Sequence, residues 1–380
     1  MTEPTRRAIL KGGLGVACCA AASPLLTPVT LAAAPGENRL VVIILRGAMD
    51  GVGVFAPYGD REYAELRPKI GLVPDDTLID LDGRFGMDAR LDALHPFWRA
   101  GELAVAHAVS TPYRGKRSHF DGQDLLEAGI GDVAKIDDGW MNRALGQVSE
   151  ARAEHALAVG REDMLLMRGE RAVRAWTPGT KLSLQNDERA LLQLIYGRDP
   201  LFAEAAAMAE ELSALGGGGG GAKSATGRLA KYTADRLSEE ARIAAFSIGG
   251  WDTHAGQPSA LGAPLKALAE ALTILKSTLG PVWGDTMVVA MTEFGRTARE
   301  NGNRGTDHGT GGALKGGAVY GDWPGLRERD LYEGRDLTPT MDVRHYPAWA
   351  LHALFGIERA ALEGAVFPGL EMGARPGFIA

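Results

Sequence analysis

Cysteine is nearly absent. The 380-residue chain has two, Cys18 and Cys19, side by side near the amino terminus. Should that segment be removed on maturation, as its composition argues below, disulfides and thiolate metal sites are both excluded. No basic run or basic–aromatic pattern stands out and the formal net charge is −7, so nucleic acid is not an expected partner. Long apolar runs are missing too. Gly, Ser, Thr and Pro interrupt the amino-terminal apolar segment before it reaches the roughly 20 residues that a bilayer requires. No internal repeat is visible. With 45% hydrophobic and 23% charged residues, whole-chain disorder and fibre are excluded, and the length suffices for one large core or two small ones.

What is present begins with Thr5-Arg6-Arg7-Ala8-Ile9-Leu10-Lys11, followed by a weakly apolar stretch that ends near Leu31-Ala32-Ala33-Ala34. A basic region, an apolar region and small residues before a cut are the parts of an export signal, and the paired arginines make it resemble a twin-arginine signal. The expected organisation is a signal over 1–34 and a mature chain over 35–380, carried folded by the twin-arginine machinery to the periplasm or outside the cell. Loss of Arg6, Arg7, Lys11 and Glu3 removes a net +2 and leaves −9. Both cysteines leave with the signal.

The mature chain reads as α/β. Leu40 to Leu45 and Met287 to Met291 are continuous apolar runs of the kind buried in a parallel sheet, and Ile243 to Ile248 is a third. Leu103 to Val109 reads as another strand; Leu91 to Arg99, Ala260 to Leu279 and Tyr346 to Phe355 read as helices. A helix from Ser118 to Ala128 stops at Gly129, with Ser118 as its N-cap. From about 138 to 242 the pattern changes to Ala-rich amphipathic stretches, Glu188 to Tyr196 and Leu201 to Leu215, with a glycine run at 216–221. This region is expected to be a helical insertion forming a lid or one wall of a cleft, with Ala156 to Val159 as an added strand.

Polar residues recur where the apolar runs stop. Asp50 follows the first run, Asp252 and His254 the third, and Glu293 the last. A long polar loop then leads to Asp307 and His308, and Ser118 with His119 follows the Leu103 strand after a loop. Open α/β sheets gather ligands at the carboxyl ends of their strands. Carboxylates and imidazoles without thiolates suit Zn, Mn, Mg or Ca, one or two ions. Such ions clamp an oxyanion and activate a hydroxyl, so a serine there becomes a nucleophile. Ser118, at a helix amino terminus suited to a phosphate or sulfate oxyanion, is the candidate, with His119 to orient substrate or act as base and Arg46 or Arg117 as oxyanion partner. His107, inside an apolar run, is expected in the core.

The twin-arginine start, RGAMDG, RSHFD, GGWDTH, TEFGRT and GTDHG, in that order, resemble the bacterial domain-of-unknown-function 1501 family. That family is related in fold to alkaline phosphatases, sulfatases and cofactor-independent phosphoglycerate mutases. The resemblance implies a three-layer alkaline phosphatase-like sandwich with a mainly parallel central sheet. It implies that Asp50, Ser118 and either Glu293 or Asp307 serve one metal, and Asp252, His254 and His308 the other. From the residues themselves, Asp342 or His345 in the last loop is a candidate final ligand. The spacing Ser110-Thr111-Pro112-Tyr113-Arg114 fits the sulfatase nucleophile signature, which makes Ser110 the rival of Ser118. The implied activity is metal-dependent hydrolysis or transfer of a phosphate or sulfate ester on a small molecule or glycan. The alternative is a non-catalytic envelope binding or assembly protein keeping the same fold; a third candidate is a dedicated partner of a co-encoded exported protein.

Overall fold

The computed structural model describes residues 36–74, 76–114, 117–148, 151, 153–160, 163–176, 224–310, 312–315 and 319–377. The expected signal, with both cysteines, lies outside them, as do the expected helices at 188–196 and 201–215 and the glycine run. Among the described residues no helix is long and apolar enough to cross a membrane.

The fold is mixed α/β around a parallel sheet. Its strands are β1 (Arg39–Leu45), β3 (Ala156–Val159), β4 (Arg174–Trp176), β5 (Ile243–Ile248) and β6 (Thr286–Met291), in the order β4-β3-β5-β1-β6. Each neighbouring pair is parallel. Every residue of β1 is buried, and its side chains alternate between two cores. Val41, Ile43 and Leu45 enter one, Leu40, Val42 and Ile44 the other, as the two-residue period of a strand requires. A sheet buried on both faces has no polar side to show, which is why β1 reads as an unbroken apolar run.

Helices supply both covers. On one face α2 (Ala225–Leu237) and α3 (Gly262–Leu279) pack together. α3 buries Leu265, Leu268, Leu272, Leu275 and Leu279, spaced by three or four residues so that they form one stripe. The other face is covered by α4 (His345–Phe355) and the short helix Trp140–Leu145, which contribute Trp349, Leu351, Trp140 and Met141. Of the insertion expected over 138–242, the described parts thus include sheet strands β3 and β4 as well as helix α2 and the short helix Trp140–Leu145.

The strand expected near Leu103 is present as β2 (Val105–Ser110), but in a second sheet. It pairs antiparallel with Gly312–Lys315 and parallel with Val319–Tyr320 and Met341–Asp342. The helix expected over 91–99 is broken into a 3-10 segment, Ala89–Leu94, and a short α-helix, His95–Arg99, with Pro96 at the start of the second. Helix α1 (His119–Ala128) is capped by Ser118, whose hydroxyl accepts from the Asp121 amide at 3.4 Å, and ends at Gly129 with φ 67°. Any side chain at Gly129 would be strained there and would also meet Trp140 and Phe367.

Candidate metal centre

The carboxyl ends of β1, β5 and β6 leave the sheet on one edge and deliver residues 46–50, 249–254 and 292–293. The amino terminus of α1 and the loop 305–309 meet them there. Close backbone approach makes this possible: a Cβ on Gly47 would lie 2.6 Å from the Asp252 nitrogen, and one on Gly305 would lie 2.3 Å from the His254 carbonyl oxygen.

His119, Asp252 and His308 converge, each offering an atom within 4.8 Å of the others. His119 Nε2 lies 3.5 Å from Asp252 Oδ2, and His308 Nε2 lies 3.4 Å from Asp252 Oδ1. His254 closes the group. Its Nε2 is 3.0 Å from Asp252 Oδ1 and 2.9 Å from His308 Nε2. Phe294 stacks on His119, with ring centroids 5.1 Å apart, and lies 5.2 Å from the His308 ring, giving the group an apolar backing.

Each member is held from behind. Glu293 Oε1 faces His119 Nδ1 at 2.8 Å, the Arg117 carbonyl faces His308 Nδ1 at 2.9 Å, and Asp307 Oδ1 faces His254 Nδ1 at 3.3 Å. Arg296 donates to Asp252 Oδ1 at 2.5 Å. A neutral imidazole whose Nδ1–H is donated to an oxygen turns an Nε2 lone pair outward. In that tautomer His119 and His308 turn Nε2 lone pairs toward Asp252, whereas His254 has a carboxylate oxygen at each nitrogen, Asp307 at 3.3 Å and Asp252 at 3.0 Å. His119 Nε2 is buried without a hydrogen-bond partner, and the Nε2 atoms of His254 and His308 confront one another at 2.9 Å. One proton between them makes an ordinary hydrogen bond, and a bound cation would take that proton's place. The donor set fits a divalent ion that accepts imidazole and carboxylate, with carboxylate and carbonyl groups behind the imidazoles as metal sites commonly have.

Electrostatics support the same reading. Asp252, Glu293 and Asp307 touch the imidazoles against one guanidinium, Arg296. Burial opposes the charge on Glu293, but hydrogen bonds from His119, Gln123 and the Gly47 amide outweigh it and hold its carboxyl below the ordinary range. Its hydrogen bond to His119 raises that imidazole above its usual value against the pull of burial, with the charges of Glu293 and Asp252 adding to the rise. Burial lowers His308, assisted by the positive charges of His119 and Arg296. Asp252 and His254 keep 46% and 45% of their side chains exposed, so the group opens to solvent.

Other expected site residues are placed elsewhere. Asp50 is fully buried and both its oxygens are engaged. Arg67 donates to them at 2.5 and 3.0 Å, Gln257 Nε2 at 2.6 Å and the Gly53 amide at 3.1 Å. It joins an ion pair rather than the cluster. Glu293 and Asp307 stand one contact behind the converging atoms. Arg46 is paired with Glu127 at 2.7 Å, and Arg117 with Asp336 at 3.0 Å and Glu333 at 3.1 Å. Ser118 directly precedes His119, and its hydroxyl oxygen accepts from the Asp121 amide as the helix cap. Ser110 is buried and donates to the Thr111 carbonyl; Asp342 is held by Arg344; His345 meets Tyr346 and Trp349 edge-on. His107 is in the core, stacked on Phe85. Sequence reading did not single out Arg67, Gln123, Gln257 or Arg296. Gln123 lies one helical turn beyond His119 and Arg296 stands within the TEFGRT motif, whereas Arg67 and Gln257 carried no local sign.

A parallel-sheet α/β protein with a candidate His/Asp/His metal centre at the carboxyl edge of its sheet is the class that fold and site define. Residues 126–357 match the family described as protein of unknown function (DUF1501), and the chain belongs to that family. The matched stretch carries Asp252, His254, Glu293, Asp307 and His308 and begins after His119. No curated protein matches the chain.

Proposed function

We propose that this is an exported metal-dependent hydrolase or transferase acting on a phosphate or sulfate ester, built on an alkaline phosphatase-like three-layer sandwich. The observation that carries the proposal is the convergence of His119, Asp252 and His308 with their ring nitrogens pre-oriented. The sheet covered on both faces, with its polar groups at one edge, supports the fold assignment; the basic–apolar–small amino terminus supports export. His119, His308 and Asp252, with His254 beside them, would hold one ion. When bound, it supplies a Lewis acid that polarises the ester and lowers the pKa of a nearby hydroxyl. Ser118, one residue from His119, is the nucleophile. Its oxygen bonds to phosphorus or sulfur as the ester oxygen leaves, the hydroxyl proton passes to solvent and the departing oxygen takes one up. Water or an acceptor hydroxyl then attacks the seryl ester, losing its own proton as the serine oxygen leaves and takes one back.

Elemental analysis of the purified chain and turnover of aryl phosphate, phosphodiester and aryl sulfate test this. Ser118→Asn keeps a capping acceptor for the Asp121 amide while removing the hydroxyl, so turnover is expected to vanish with little change in stability. Ser118→Ala should lose turnover and also about 1 kcal/mol of stability. A chain without metal and without turnover across the panel would leave the second reading, a non-catalytic envelope binding or assembly module. Asp50 and Asp252 speak for that reading, because Arg67 and Arg296 already partner the carboxylates that a two-ion clamp would use.

A further inference from the structure

A line of polar contacts runs from the candidate centre along one face of α1 to a buried carboxylate far from it. His119, Gln123 and Glu127 are spaced by four residues and share a helix face. Glu293 Oε1 receives the Gly47 amide at 2.9 Å and Gln123 Nε2 at 3.1 Å beside its contact with His119 Nδ1. Gln123 Oε1 in turn accepts from Arg46 Nη1 at 2.8 Å, and Arg46 Nη2 is paired with Glu127 Oε1 at 2.7 Å. The other Glu127 oxygen accepts from the Leu166 amide at 3.0 Å.

An amide side chain has one accepting and one donating end, and reversing it exchanges them. Here Arg46 can be satisfied only by the oxygen, which leaves the NH₂ group toward Glu293. Were the amide reversed, its oxygen would face the Glu293 carboxylate and its NH₂ would face a guanidinium. Both contacts would be repulsive. Glu127, itself held by the Leu166 amide, pairs with Arg46 in turn, so the direction of the Gln123 amide is set from the far end of the helix face.

Resting on the function proposed above, we infer that Gln123 is a positioning residue: oriented by Arg46, it fixes the Glu293 carboxylate and so selects the Nδ1–H tautomer of His119, turning Nε2 toward Asp252 and His308. Gln123 touches neither ligand atoms nor substrate. Its effect passes through Glu293 to the ring. The Cβ of a non-glycine residue at 122 would lie 2.9 Å from the Phe294 ring and 3.4 Å from Glu293 Cβ. The helix thus seats directly on the carboxylate's own segment, where a neighbouring side chain can steer it.

The test uses the full chain labelled with ¹⁵N-histidine, stripped of metal and held at alkaline pH so that His119 is neutral. The ring nitrogen signals then report its tautomer, and zinc titration reports affinity. Wild type is expected to show Nδ1–H at His119. Gln123→Met removes the donor without changing length, and should give a mixture of tautomers with zinc affinity lower by about tenfold, the small end of the range for residues behind a metal ligand. Gln123→Glu turns a carboxylate toward Glu293 while still serving Arg46, and should also lose the single tautomer. It answers the question if the methionine variant does not fold. An unchanged His119 tautomer in a folded variant would overturn the inference. The tautomer is read without metal, so failure of the wild type to bind zinc would overturn the proposed function alone.

Discussion

At the scale of single residues, the candidate centre depends on what stands behind each ligand. Glu293 is buried and ionised because three donors converge on one of its oxygens. Glu293→Gln keeps the shape but removes the charge that holds His119, and zinc affinity measured by calorimetry should fall about 10- to 100-fold. His107 illustrates a histidine with the opposite fate. Burial drives its pKa down to about 4, and neither ring nitrogen has a well-formed hydrogen bond. Its folded value is depressed, so the unfolded chain takes up a proton near the ordinary 6.5 while the folded chain does not until about 4. Stability from this group is complete above pH 6.5 and declines as pH falls toward 4, by about 3 kcal/mol in all. Urea denaturation across that window should show a shallower pH dependence for His107→Phe than for wild type; parallel curves would refute the assignment.

At the scale of elements, the ends of strands and the loops after them are locked by a buried polar network. Asp50 is held by Arg67 and Gln257, and the Gln257 oxygen accepts from Thr253 and Thr306, each at 2.9 Å. One amide thereby joins the end of β1 to the segment before His254 and to the loop carrying Asp307 and His308. The Asp50 and Arg67 side chains are 1% and 0% exposed. Removing either partner strands a buried charge, a loss of about 3–5 kcal/mol. Arg67→Met should lower the denaturation midpoint accordingly, and adding Asp50→Asn should recover part of the loss; additive losses would show that the two do not act as a pair. Asp50 also shows where sequence reading stopped. Its place after a buried strand was legible, but Arg67 lies in a later loop and contacts it only through the tertiary fold.

At the scale of the whole molecule, the strands were legible wherever burial on both faces left a continuous apolar run, as in β1, β5 and β6. Sheet membership was not. β2 is as fully buried as β1, yet it pairs in a second sheet, because pairing is decided by segments some 200 residues away in the chain. The meeting of His119 with Glu293 is likewise a contact across 174 positions, so the two could be named as candidates and not assigned as ligand and orienter. The assembled site joins strand ends, a helix start and a late loop, so an ion bound there should stabilise the entire fold. Zinc at 100 times its dissociation constant contributes about 2.7 kcal/mol, a rise in melting temperature on the order of 5 °C. Scanning calorimetry of the full chain with EDTA and with zinc should show that rise. His119→Ala and Asp252→Ala should abolish it, whereas Asp50→Asn should start from a lower temperature and still rise. If Asp50→Asn removed the zinc effect and His119→Ala kept it, the ion would belong with Asp50, and the ligand set drawn from the structure would be wrong.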